Sequence, residues 1–376
     1  MIKEVVQTRN YGVDFLRIVS MFGIIVLHIL SHGGILSTAE NGGAFGIAWL
    51  MEIVAYPAVC CFMLISGIVG YRAESYFPKP GKKVLLYVTV LFYSVFIAVV
   101  VQLISPQMIS VFDMLVSFFP IVTKRYWFFS SYFVVLLFSP LINCIVNKYS
   151  AKYLSGTCLI IFFIGAIEIV TKVFSLSSGY SFVWLSFLYF IGAVIKKYDL
   201  FDKISVFTCV CFVFGSIFIN WLIKMCFPTI NFEVSGINIR PGNVLISYCS
   251  PTVLIMALGW VCIFYKIKIH KCLTRIIAFF SSSAFSVYLI HDNEIVRRVL
   301  IKNKFTFLLD YNPFVMAIGV LFWALIIFMC CICIDKLRMI LFDWLKIHVL
   351  SVRMEKMIMN KYDCLFNKVK RLFKYE

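Results

Sequence analysis

Apolar residues along this chain form long unbroken runs, separated by short polar segments that are mostly basic. A bilayer span needs about 20 mostly apolar residues. Ten runs qualify, at approximately Asp14–Ile35, Ile47–Gly70, Val84–Ile104, Tyr126–Val146, Leu154–Lys172, Phe182–Ile195, Ile204–Ile223, Val244–Tyr265, Arg275–His291 and Pro313–Ile334. The sixth and ninth are short. Ser110–Val122 is apolar as well, but it is only about 13 residues long and is closed by Pro120. It reads as a re-entrant or interfacial piece. The pattern predicts an all-α, polytopic membrane protein with about ten transmembrane helices. Residues 1–335 would form the membrane-embedded domain, and residues 336–376 a basic, amphipathic cytoplasmic tail.

Composition excludes the alternatives. The chain is 62% hydrophobic and 14% charged, against about 45–50% and about 25% in soluble domains, and its mean hydropathy is +0.95. A soluble globular enzyme of this size cannot hide that much apolar surface, and neither a disordered chain nor a disulfide-stapled secreted module has this make-up. The 14 cysteines lie mostly inside apolar runs and lack zinc-ligand spacing. They read as buried free thiols, and no metal is expected.

The net charge of +17 reads as topology and not as nucleic-acid binding. With a cytoplasmic N-terminus, 25 of the 35 Lys and Arg residues fall on the cytoplasmic side, including Lys3, Lys79, Lys82, Lys83 and ten in the tail. Nine fall on the other side, among them Lys124 and Arg125. That asymmetry places both termini in the cytoplasm. The loop holding Arg297, Arg298, Lys302 and Lys304 fits worst. The tail mixes Leu, Ile, Met and Phe with Lys and Arg, which suits anionic membrane lipid. The absence of organelle signals points to a bacterial plasma (inner) membrane.

Ionisable groups inside spans are expensive and mark function by default. Here they are Arg17, His28, His32, Glu52, Glu168, His291 and Asp292, with Asp14 at the cytoplasmic edge. Arg17 and His28 are 11 positions apart. At 100° per residue this puts them on one helix face, roughly 16–17 Å apart along the axis. Asp14 precedes Arg17 by three and can pair with it. Tyr288 and His291 share a face near the end of the ninth span. Glu52 and Glu168 are each open to three readings: a proton-relay group, a partner for Arg17 or His28, or a protonated residue bonded between helices. No P-loop, nucleophile elbow, dinucleotide fingerprint or metalloprotease motif is present.

The stretch from Tyr11 to His28, with Asp14, Arg17 and His28 in register, resembles the opening of the acyltransferase 3 family of integral membrane acyltransferases, which carry Arg-x10-His in the first helix. Phe62 to Gly67, ending in Ser66-Gly67, looks like the family's segment closing the second helix. Tyr126-Trp127-Phe128-Phe129 with Pro140-Leu141 is similar to its Trp-Phe-Leu…Pro-Leu segment, with Phe129 in place of the usual Leu. Tyr288 to His291 resembles its Tyr-Leu-x-His. No SGNH-type hydrolase domain follows the tenth run, which points to a stand-alone transferase.

The resemblance implies transfer of an acyl group, usually acetyl from cytoplasmic acetyl-CoA, to a hydroxyl of a glycan or lipid-linked sugar acceptor such as a surface polysaccharide. His28 would be general base or a transient acyl carrier. Arg17, held by Asp14, would bind CoA phosphates or orient His28 through another group. Lys82 and Lys83 would add to the CoA site. His291, Tyr288, Ser66, Trp127 and Glu168 would form the substrate-binding set. The competing reading is a transporter or flippase for a lipid-linked saccharide with a His/Glu proton relay. A glycan polymerase would need a larger external loop than this chain offers.

Overall fold

A computed structural model describes residues 9–40, 42–72, 82–123, 125–228, 230, 232–234 and 237–372, with backbone alone for residues 232–234 and 237–239 and beyond 360. Lys3, Lys79 and Lys124 lie outside the described residues. The first helix, α1, runs Tyr11–Leu30. Asn10 starts it: Oδ1 accepts from the amides of Gly12 and Val13 at 2.9 and 3.1 Å. Such a cap satisfies amides that have no partner within the helix. The Asn10 amide also donates to the Tyr265 carbonyl at 2.9 Å, which ties the start of α1 to a distant helix end.

The second expected span is two helices, α2 (Gly42–Ala55) and α3 (Ala58–Gly70), broken at Pro57. Proline lacks the amide that would continue α2 but suits a helix start. Next come α4 (Lys82–Ile104), the short α5 (Val111–Ser117), α6 (Trp127–Lys148), α7 (Ala151–Thr171), α8 (Phe182–Lys197) and α9 (Val206–Cys226). A hairpin of β1 (Phe232–Val234) and β2 (Ile237–Ile239), with Phe232 opposite Ile239, interrupts the helices. Then follow α10 (Pro251–Lys266), α11 (Lys271–Ser281), α12 (Ala284–His291), α13 (Pro313–Trp344) and α14 (Ile347–Leu372).

Eight helices or broken helix pairs are long and apolar enough to cross a bilayer. The two remaining expected spans are α8 and α10, each 16 residues long. The sixth expected span is thus short, as its run suggested. The ninth is not: α11 and α12 together give 21 residues, broken at Ser282 and Ser283. The chain is an integral membrane protein. Its lipid-facing surface is visible in exposed Phe and Leu side chains along α7, α9 and α13.

Helix α5 has seven residues, closed by a reciprocal cap between Ser110 and Asp113, and it exposes Val111, Phe112 and Leu115. It is far too short to span, in keeping with an interfacial piece. Helix α1 is central and packs against α2, α3, α10, α11, α12 and α13. Its burial forces the polar face of α1 onto other helices.

Gly67, in the expected Ser66-Gly67 motif, has a packing role. A Cβ there would lie 2.1 Å from the Tyr189 carbonyl, and one on Gly192 would lie 2.2 Å from the Leu64 carbonyl. These glycines let α3 and α8 touch backbone to backbone, as small residues do between membrane helices.

The expected boundary at 335/336 falls inside α13, which is continuous for 32 residues. Asp335 is fully buried; its Oδ1 accepts from the Tyr93 hydroxyl at 2.7 Å and from Arg338 at 2.7 and 3.0 Å. The tail helix α14 lies on α4, where Glu355 accepts from the Val84 amide at 3.4 Å.

Candidate active site

The polar face of α1 leads into a cavity of about 570 Å³. Its lining starts at Met21, one turn beyond Arg17, and includes His28, Ser31 and His32. Near His28 the opposite wall comes from the end of α12 and the turn after it, with Tyr288, Asp292 and Arg297. Elsewhere the walls are Trp49, Glu52 and Tyr56 of α2 and its break, Trp127 and Phe128 of α6, and Tyr180 and Tyr248 from loops. Both broken spans contribute: Tyr56 adjoins the Pro57 break, and Phe285 and Tyr288 follow the Ser282–Ser283 break.

His28 sits deep in this chamber with its side chain 14% exposed. Nδ1 is buried without a hydrogen bond and lies 3.6 Å from Oδ1 of Asp292. Nε2 is therefore the nitrogen left to the cavity. Asp292 is 2% exposed and receives Arg297 at 3.0 Å on that same oxygen. His32 and His291 flank His28, each ring 5.1 Å away. The His291 Nδ1 lies 2.6 Å from the Val287 carbonyl; that contact makes Nδ1 the protonated nitrogen and leaves the buried Nε2 as an unused acceptor. A buried carboxylate beside an imidazole nitrogen fixes ring orientation and favours the tautomer that carries its proton there.

At the other end of the α1 face, Asp14 is buried and takes Arg17 at 2.8 Å and also Arg9. Arg17 remains partly exposed, with its side chain at 29%. The 11 residues between Arg17 and His28 correspond to about 16 Å of helix, so the two do not touch.

The other expected residues divide. Trp127 and Tyr288 line the chamber. His291 stands behind His28 and outside the lining. Ser66 is also outside it, its hydroxyl donating to the Phe62 carbonyl at 2.8 Å. Lys82 and Lys83 open α4, beside the α14 contact. Glu168, expected to bind substrate, is placed elsewhere. It is fully buried, and its two oxygens accept from the amides of Leu176 and Phe174 at 2.8 and 3.0 Å. It closes the loop after α7. Glu168→Ala should leave those two amides unsatisfied, at about 1–3 kcal/mol each. The melting temperature in detergent should fall while turnover per folded molecule is kept; loss of turnover at unchanged stability would return Glu168 to the site.

In the sequence Asp292 is an intramembrane charge without an assigned role, and Arg297 is a topological misfit. Both line the chamber. The misfit has a physical cause: Arg297 pairs with Asp292, and Arg298 pairs with Asp113 at 3.2 Å. Lys224 on that same expected face is buried too, 3.8 Å from the Trp49 ring and donating to the Asn243 side-chain Oδ1 at 2.7 Å. His28, His32 and Asp292 are the one group among the described residues whose ligand atoms, all within 4.8 Å of one another, have metal-site spacing. Arg297 already neutralises that carboxylate, which disfavours a further cation there.

An imidazole beside a buried carboxylate thus lies at the wall of a chamber enclosed by apolar helices. The acyltransferase 3 family, described as an acyltransferase domain, matches residues 10–334, and the chain belongs to it. It is a membrane acyltransferase. No curated protein and no solved structure matches the chain.

Proposed function

We propose that the protein transfers an acetyl group from acetyl-CoA to a hydroxyl of a sugar in a surface glycan or lipid-linked saccharide, with His28 as general base. The observation that carries this reading is His28 facing the chamber beside Asp292, on the same α1 face as Arg17. A sugar hydroxyl is a weak nucleophile near neutral pH and needs a base in contact with it. His28 Nε2 takes the hydroxyl proton as the oxygen bonds to the thioester carbonyl carbon. The carbon–sulfur bond then breaks, and the proton returns from His28 to the leaving thiolate. Asp292 steadies the imidazolium in between. Arg17 takes a phosphate of CoA with its planar fork, and an extended thiol-bearing arm lies along the α1 face towards His28.

The membrane in this reading is a bacterial plasma membrane, and the basic asymmetry of the loops supports an orientation with the Arg17 end and both termini cytoplasmic. CoA then arrives from the side where it is made, and Lys82 and Lys83 raise its local concentration. The tail helix rests on anionic lipid.

The test is label transfer. Membranes bearing the protein are incubated with acetyl-CoA radiolabelled in the acetyl group, with and without host surface glycan. Alkali-labile label in the glycan is the expected result. No label in any fraction, together with failure of the purified protein to bind CoA, would sink the proposal. Arg17→Lys keeps the charge but loses the fork, and should raise the KM for acetyl-CoA about tenfold, the effect of one lost charge-assisted bond. An unchanged KM would reduce Arg17 to a partner of Asp14.

A further inference from the structure

One half of the chamber is not used by the chemistry just described. Tyr248 lies between Tyr56 and Trp127: its ring is 4.7 Å from Tyr56 with planes 27° apart, and 6.0 Å from Trp127 with planes 20° apart. Tyr180 leans across Trp127 and Tyr248 at 4.5 and 4.9 Å. All four line the cavity. So does Glu52, which is 7% exposed and whose Oε2 has no hydrogen-bond partner. The indole N–H of Trp49, on the same lining, also lacks one.

We infer that this half of the chamber is a subsite for one pyranose ring of the acceptor, in which the aromatic row takes the C–H face of the ring and Glu52 and Trp49 take its hydroxyls. The inference rests on the proposed transfer to a sugar and assigns that sugar its binding residues.

The lining itself argues for this class of ligand. A buried carboxyl and a buried indole N–H without partners are costly in an apolar setting. They persist where a ligand completes them. An acyl chain fills space but offers no hydroxyl, so it would leave both groups unpaired. A pyranose presents apolar C–H faces and a rim of hydroxyls, which matches rings on one side and a carboxyl on another. The volume of about 570 Å³ falls within the roughly 300–1,000 Å³ of small-molecule sites. A site built to bond hydroxyls also discriminates strongly against analogues that lack them.

The experiment is saturation-transfer difference NMR on the full-length protein in detergent. The probes are the methyl pyranosides of glucose, galactose, mannose, rhamnose and N-acetylglucosamine, with CoA run separately. At least one glycoside should receive saturation at its ring protons from the wild type. Glu52→Ala, which removes both oxygens, should weaken that binding about tenfold, the effect of one lost hydrogen bond. Tyr180→Ala should weaken it as well. Tyr180 is 46% exposed, so its truncation leaves the fold intact even where a change at Tyr248 does not. Three results would overturn the subsite: no glycoside signal with the wild type, a signal unchanged in both variants, or saturation of the CoA adenine protons lost in the same variants. Sugar binding that follows the expected pattern in a protein unable to move label from acetyl-CoA would support the subsite and sink the acyl-transfer reading instead.

Discussion

His28→Ala should abolish acyl transfer and leave a folded, membrane-inserted protein. Removing a positioned general base typically costs about 10²–10⁴ in rate. The expectation of a sound fold has a structural reason. The His28 ring borders an existing chamber and its buried Nδ1 makes no hydrogen bond. Alanine therefore enlarges a cavity that is already there and orphans no partner, unlike a truncation within close-packed core. The check is the label-transfer rate per unit of folded protein, with folding read from the melting temperature in detergent. Near-normal transfer in His28→Ala would falsify the assignment of His28 as base.

The second large effect belongs to Asp292, whose carboxylate lies between His28 Nδ1 and Arg297. Asp292→Asn keeps the shape but removes the charge, and an amide can present its N–H₂ to His28 and so select the wrong tautomer. Turnover should fall by about 10²–10⁴, the range of a disabled general base. The KM for acetyl-CoA should hold, since the donor is gripped near Arg17. If turnover survives in Asp292→Asn, the orientation of His28 comes from elsewhere, and His291 with its 5.1 Å ring contact becomes the candidate. Arg297→Gln separates the two roles of Asp292: it removes the charge partner and leaves the His28 contact in place.

Much of this architecture was legible in the order of residues. Each of the ten apolar runs corresponds to a helix or a broken helix pair, because burying backbone in lipid leaves the chain little other choice. The Arg17–His28 face was legible from helical periodicity alone, and the Asp14 pairing from a spacing of three. The pairing of His28 with Asp292 was not, because it joins the first helix to the turn after α12 and no local pattern carries that contact. The break at Pro57 was visible as a proline, yet the apolar run continued through it and read as one span. Glu168 misled for a related reason. An isolated carboxylate in an apolar run signals function only until its partners are known, and here they are amides of its own loop. Arg297 and Arg298 strained the charge rule because the rule counts residues without their partners.

Helix α13 bears on how this fold can be cut and joined. Family similarity ends at residue 334, but the helix runs on to Trp344. Its 32 residues make about 48 Å at 1.5 Å per residue, well beyond a hydrocarbon layer of about 30 Å. A chain ended at 334 would lose Asp335, leave the buried Tyr93 hydroxyl without its acceptor, and strip α14 from α4. Modularity in this protein therefore does not follow the edge of the recognisable domain. Any graft or fusion that preserves the folded unit has to be joined beyond the tail helix.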